Sequence, residues 1–247
     1  MTTNYERLLN NFDTLGLKHM KERFPHYIEQ VYQQELSLTD AFLELTDQEV
    51  SFQQKNTFTR AIKRARFPQI KQFEDFDFSL QPHLNKQELL DLKHLQFMSD
   101  HQNVLFLGSP GVGKTHLAIA LGVAACHQEK RTLFIHCHDL LLKLNTAHQK
   151  GTLERVLRRY AHYELLIIDE VGYLPIEGHD ANLLFQLLNR RYEQHSTIIT
   201  TNLALSGWAE LFKSPETAAA ILDRLIHHSK LFKMTGKSYR LKHALEH

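Results

Sequence analysis

Eight consecutive residues, Gly108-Ser109-Pro110-Gly111-Val112-Gly113-Lys114-Thr115, satisfy the pattern G-x-x-x-x-G-K-S/T at every fixed position. That spacing suits the wrapping of a triphosphate. The glycines let the backbone turn so that successive N–H groups point inward as an anion nest. A helix starting near Gly113 adds the positive end of its dipole. Lys114 can reach the β and γ phosphates, and the Thr115 hydroxyl can hold Mg²⁺. His116 follows directly. Further along, the apolar run Leu165-Leu166-Ile167-Ile168 ends in Asp169-Glu170. The first carboxylate is placed to hold Mg²⁺ through water, and the second to polarise the water that attacks the γ phosphate. Asn202 closes another apolar run and is a candidate to orient that water. Arg224 is a candidate arginine finger for a neighbouring subunit's site. Arg240 is a candidate nucleotide sensor, and Arg190-Arg191 a candidate pair for contacts between subunits.

These residues need a scaffold that brings strand ends together. Asn103-Val104-Leu105-Phe106-Leu107, just before the glycine-rich loop, has the length and residue types of a buried strand. Further strands are expected near 132–136, 165–169, 197–201 and 231–234. Helices are expected over 86–98, after the loop, at 139–148, 152–162, 181–194 and 216–228. Continuous apolar strands separated by helices indicate an α/β domain with a five-stranded parallel sheet, covered by helices on both faces.

Residues 1–66 read as a small all-helical domain of several short helices. Leu8, Leu9, Phe12, Leu15 and Met20, and later Phe42, Leu43 and Leu45, recur at roughly helical spacing. Its end is basic: Lys55, Arg60, Lys63, Arg64, Arg66 and Lys71 occur with no acid among them. Such a stripe is the usual electrostatic footprint of nucleic-acid contact. Phe67-Pro68 ends the helix. Residues 67–85, with Phe73-Glu74-Asp75-Phe76-Asp77-Phe78, read as a linker whose aromatics dock on the next domain, residues 86–244. Leu245-Glu246-His247 matches the start of an expression tag and is expected to be vector-derived.

Composition bounds the rest. A chain of 247 residues with 43% hydrophobic and 23% charged residues has the make-up of an ordinary globular protein. A net charge of +1 gives no global bias toward nucleic acid or membrane, so local charge decides. Two cysteines, Cys126 and Cys137, imply no disulfide framework and point to a reducing, cytoplasmic home. No apolar run approaches a membrane span. Among seventeen histidines the densest cluster is His136-Cys137-His138. Strand alternation would send both of its histidines to one face, but four ligands, the usual number for a closed metal site, are not in evidence.

The chain resembles the IstB family, ATPase helpers of bacterial insertion-sequence transposition, and more distantly the DnaC helicase loaders. Both are AAA+ proteins of the initiator clade. The matching stretches are Leu107 to Ala118, Leu166-Ile167-Ile168-Asp169-Glu170-Val171-Gly172-Tyr173 and Thr200-Thr201-Asn202. Phe76-Asp77-Phe78, Asp223-Arg224-Leu225 and Ser238-Tyr239-Arg240 agree as well. The resemblance implies a P-loop AAA+ domain without a separate C-terminal lid, preceded by the helical domain. It implies ATP hydrolysis with Mg²⁺, homo-oligomerisation with ATP and duplex DNA, selection of target DNA, and stimulation of a transposase. It also implies that the helices between the second and third strands face DNA, which singles out Lys143, Lys150, Arg155, Arg158 and Arg159. The runner-up is an ATPase that loads a replicative helicase. A small-molecule kinase and a non-hydrolysing DNA scaffold are more remote alternatives.

Overall fold

A computed structural model describes residues 3–212 and 215–239. The chain divides into two compact units, Met1–Arg60 and Ala61–His247.

The first unit is helical. α1 (Asn4–Thr14) starts at a reciprocal cap: the Thr3 hydroxyl accepts from Glu6 N, and the Glu6 carboxylate accepts from Thr3 N. α2 (Lys18–Tyr32) and α3 (Leu38–Ala65) follow. The core is Phe12, Met20, Phe24, Tyr27, Ala41 and Leu45. The buried Glu49 carboxylate accepts from Met20 N (2.7 Å) and Gln53 Nε2 (2.8 Å). Two expectations are corrected. α3 is one helix of 28 residues, not a set of short ones. Leu15, Phe42 and Leu43 are exposed. Ala41 and Leu45 form the inward stripe of α3 at i, i+4, so Phe42 and Leu43, about 100° and 200° further round, face outward.

The second unit opens with two short helices, α4 (Lys86–Asp91) and α5 (Gln96–Ser99), where one helix over 86–98 was expected. A 3₁₀ turn at Leu92–His94 and a left-handed Leu95 (φ 60°) separate them. Leu89, Leu92, Leu95, Phe97 and Met98 are all buried, and one continuous α-helix cannot turn all five to one side.

Five parallel strands form the sheet: β1 (Asn103–Gly108), β2 (Thr132–His136), β3 (Leu165–Val171), β4 (Ser196–Thr201) and β5 (Ser229–Met234). Their spatial order is β2-β3-β4-β1-β5. The connecting helices are α6 (Lys114–His127), α7 (Cys137–Gln149), α8 (Leu153–Ala161), α9 (Gly178–Arg191), α10 (Trp208–Leu211) and α11 (Pro215–Ile226). Leu105, Leu107, Leu133, Ile135, Leu166, Ile168 and Ile199 pack with the apolar residues of α7, α8, α9 and α11. The alternate residue Ile167 faces Gly122 of α6. The sheet is thus covered on both faces, as its continuous apolar strands require. Beyond β5 the chain returns to the loop after β1: Tyr239 N donates to Gly111 O (3.0 Å), and Lys237 N donates to Leu80 O (3.1 Å). Among the described residues no helix is long and apolar enough to cross a membrane.

Candidate functional site

The glycine-rich loop joins β1 to α6, with Gly113 as the residue that caps the helix. Gly113 has φ +99°, and a Cβ there would lie 2.4 Å from Phe76 Cε2, so only glycine fits. A Cβ on Gly108 would lie 2.1 Å from the Met234 carbonyl oxygen of the neighbouring strand. Segment 72–81 supports the loop. Phe76 packs edge-on to His116 and to Phe78, and His116 Nε2 donates to Gln72 O (2.7 Å). Burial lowers the His116 pKa. Gln81 Nε2 donates to Val112 O (3.2 Å), and Phe73 is buried. Lys114 Nζ donates to the carbonyls of Gly108 (2.6 Å) and Ser109 (2.8 Å), which places its charge at the loop's centre.

The strand order brings the ends of β1, β3 and β4 together. Asp169, 1% exposed, accepts on Oδ1 from Thr115 Oγ1 (2.8 Å) and Thr200 Oγ1 (2.6 Å). The same Thr200 hydroxyl accepts from Glu170 N (2.9 Å), so one side chain on β4 fixes both acidic positions. Sequence reading gave Thr200 no role; the signal that could have found it is a hydroxyl near the end of a strand adjoining an acidic one. The pairing of β3 with β4 is irregular between Ile168 and Val171, and Glu170 lies in the left-handed region at φ 61°. That break turns the Glu170 side chain outward, 53% exposed, while Asp169 stays buried.

His136 is opposite Asp169 in the β2–β3 register. Its Nδ1 lies 3.5 Å from Asp169 Oδ2 and 3.5 Å from Glu170 Oε2. This corrects the expected pairing with His138. β2 ends at His136 and α7 begins at Cys137, so strand alternation stops before His138, which is exposed on the helix. Burial raises the thiol pKa of Cys137 to about 12 and that of Cys126 to about 11.

The other predicted residues are more dispersed. Asn202 is exposed, immediately after β4 and two residues from Thr200. Arg224 lies against α9: Nε donates to Asn189 Oδ1 (2.7 Å), Nη1 to Ala220 O (3.1 Å), and the guanidinium sits 4.7 Å from the Phe185 ring centre. Arg240 and residues 245–247 lie outside the described residues. The Arg190-Arg191 pair is engaged within the chain rather than free for a neighbour. Arg191 is 1% exposed and donates to Thr197 Oγ1 and to the carbonyls of Tyr160, Ala161, Tyr163 and Ser196; desolvation lowers its pKa to about 9. Arg190 grips Glu154 through two 2.8 Å bonds, which hold that carboxyl down to about 2.

Of the expected DNA contacts, Lys55 and Arg60 are exposed on α3 in the first unit, and Lys63 and Arg64 are exposed on its last turn in the second. Lys143, Lys150, Arg155, Arg158 and Arg159 are exposed on or beside α7 and α8. Arg158 approaches Glu154 at 3.5 Å, and the Arg159 guanidinium lies 5.0 Å from the Tyr160 ring centre.

Comparison with known proteins gives a consistent picture. Residues 10–247 match the family described as IstB-like ATP binding protein. A protein of insertion sequence IS232 from Bacillus thuringiensis subsp. berliner, named for ATP binding, is 43% identical over 242 residues, covering 98% of this chain and 97% of that one. The corresponding protein of IS21 from Pseudomonas aeruginosa is 41% identical over 228 residues, covering 92% and 86%. In fold, the chain is similar to a crystal structure of a DNA replication initiation factor (TM-score 0.58, 21% identity, covering 73% of this chain and 54% of that one). It spans about half the length of that factor. It is also similar to the DnaC helicase loader (TM-score 0.53, 24% identity, covering 60% and 86%). At these identities the structural likenesses show the AAA+ fold alone.

Proposed function

Because the chain belongs to the IstB-like ATP binding protein family, we propose that it is the ATPase helper of an insertion-sequence transposition system. In this reading it hydrolyses ATP, assembles as a homo-oligomer on duplex DNA, selects target DNA and stimulates a partner transposase. The observation that carries the hydrolytic part is the junction of Thr115, Asp169 and Thr200 beside Glu170, directly behind the phosphate loop.

The chemistry follows from those positions. The backbone N–H groups of the loop and Lys114 bind the phosphates. Thr115 and Asp169 offer the hard oxygen donors that suit Mg²⁺, which when bound would neutralise charge on the phosphate oxygens. Glu170, turned toward solvent, accepts the proton of a water whose oxygen bonds to the γ phosphorus. The bond from that phosphorus to the β–γ bridging oxygen breaks, and ADP and phosphate leave. Asn202, near the end of β4, orients that water. Arg224 supplies positive charge to a neighbouring subunit's site. The basic residues of α3, α7 and α8 neutralise DNA phosphates. The names of the sequence relatives favour transposition over helicase loading, for which the fold alone speaks.

The test is ATP hydrolysis together with filter binding to two unrelated duplexes across a salt series, with and without ATP. Each phosphate neutralised contributes about −0.9 to the slope of log affinity against log salt, so an assembled track gives a steep slope with ATP. Absence of hydrolysis, or equal DNA affinity with and without nucleotide, would overturn the reading.

A further inference from the structure

We propose that Glu193, His227 and His228 form a binding site for a divalent transition-metal ion of the zinc class. The site lies apart from the nucleotide chemistry and does not rest on the function proposed above.

Among the described residues, two trios of His, Asp and Glu side chains bring one donor atom each to within 4.8 Å of one another. One is His136, Asp169 and Glu170, which belongs to the nucleotide site. The other is Glu193, His227 and His228. Glu193 lies in the turn between α9 and β4, and the two histidines lie between α11 and β5. These residues stand where strands begin, whereas the phosphate loop follows the end of β1. Since β4, β1 and β5 are parallel neighbours, the two places are opposite edges of the sheet. This trio therefore cannot share the ion of a bound nucleotide.

The donors suit such an ion. Two imidazoles and one carboxylate are nitrogen and oxygen ligands of the kind that Zn²⁺ takes, whereas Mg²⁺ and Ca²⁺ call for oxygen alone. Bonds of about 2.0–2.1 Å in a tetrahedron set neighbouring donor atoms about 3.3 Å apart. His228 Nε2 and Glu193 Oε1 are already 3.3 Å apart. His227 stands edge-on to His228 with ring centres 4.2 Å apart, so a small turn of the ring brings in its free nitrogen. The Tyr192 hydroxyl lies 3.0 Å from His227 Nδ1. A partner on one ring nitrogen orients an imidazole for metal binding and leaves the other, here Nε2, as the ligand. All three residues are exposed, so water completes the coordination.

Buried anchors hold both turns. The His228 carbonyl accepts from Asn103 N (2.7 Å). The Asn103 side chain in turn donates to Leu225 O (3.3 Å) and accepts from Thr197 N (2.8 Å). On the other side, Gln194 N and His195 N both donate to Arg191 O (3.0 Å), the backbone of the buried arginine. Glu193 is held between them in the left-handed region at φ 55°, a conformation that persists only where the surroundings fix it. Ligands on backbone fixed in this way need little reorganisation to close on an ion. The bound ion cross-links the ends of α9 and α11. Arg224 lies three residues before His227 on α11 and bonds Asn189 on α9, so the cross-link steadies the helix pair that presents it.

The test uses the full chain without a polyhistidine tag, titrated with ZnCl₂ by calorimetry in excess Mg²⁺. The expected result is one equivalent bound at this site. Its affinity falls at least about tenfold in Glu193→Gln and further in His227→Ala or His228→Ala, and less in Tyr192→Phe. His136→Ala, which breaks the other trio, keeps this equivalent. Urea unfolding followed by Trp208 fluorescence gives a second reading. Zn²⁺ raises the midpoint of the unaltered chain and not that of Glu193→Gln, as binding to the folded state requires. The midpoint of each variant without metal shows that it folds, and Glu193→Gln keeps the side chain's size while removing its charge. No bound equivalent, binding untouched by Glu193→Gln and His228→Ala, or loss of all binding in His136→Ala would overturn the inference. ATP turnover enters none of these readings, so the proposed function stands or falls separately.

Discussion

Replacing Thr200 with valine keeps the volume of the side chain and removes one hydroxyl, so what is lost is two hydrogen bonds and no packing. The first is the 2.6 Å bond donated to Asp169 Oδ1; the second is the 2.9 Å bond accepted from Glu170 N. A hydrogen bond to a charged group contributes about 1.5–3 kcal/mol, and the part-buried Glu170 N–H left without its partner costs toward the lower end of about 1–3 kcal/mol. The two share one atom and do not add in full, so about 3 kcal/mol is the expected destabilisation. The assay is urea unfolding followed by fluorescence of Trp208, the only tryptophan, which is fully buried in the second unit and reports that unit. The same change frees Asp169 and the strained Glu170 to shift. Each 1.4 kcal/mol of lost positioning is tenfold in rate, so kcat for ATP should fall about 10- to 100-fold. Thr200→Ser, which keeps the hydroxyl, should recover most of both. A Thr200→Val protein within about 0.5 kcal/mol of normal stability and within about twofold in kcat would refute the assigned role.

Lys114→Ala should lose tight ATP binding, whereas Glu170→Gln should bind ATP and stall before hydrolysis; normal turnover in the latter would show that another group activates the water. Arg224→Ala should lower turnover and assembly while leaving the monomer's nucleotide affinity intact. Mixing it with Lys114→Ala should restore part of the activity, since one interface then pairs an intact phosphate loop with an intact arginine. Arg191→Ala strips the partner from four backbone carbonyls, and since each buried acceptor left unpaired costs about 1–3 kcal/mol, non-additively, it should destabilise the second unit by at least about 3 kcal/mol in the same unfolding assay. Cys126 and Cys137, held at about 11 and about 12, should be only about 10⁻³ or less thiolate at pH 8, so a thiol reagent should count both promptly only after denaturant is added.

The sequence by itself carried the phosphate loop, because its chemistry is written in eight contiguous residues whose φ angles and donors are local. It also carried the acidic pair after a buried strand and the alternation of strands with helices. Those signals depend on burial and periodicity, which any window of the chain displays. Tertiary structure decided what depends on strand order. Thr200 reaches Asp169 because β4 lies beside β3, and His136 reaches it because β2 lies on the other side; these residues are 31 and 33 positions from Asp169 along the chain. Arg191 looks like one half of a surface pair until five acceptors around it show that it is buried. Leu95 looks helical until the burial of its neighbours turns the backbone left-handed. In each case the deciding term is the pairing or burial of a group by residues far away in sequence, and no local pattern encodes which distant residues those will be.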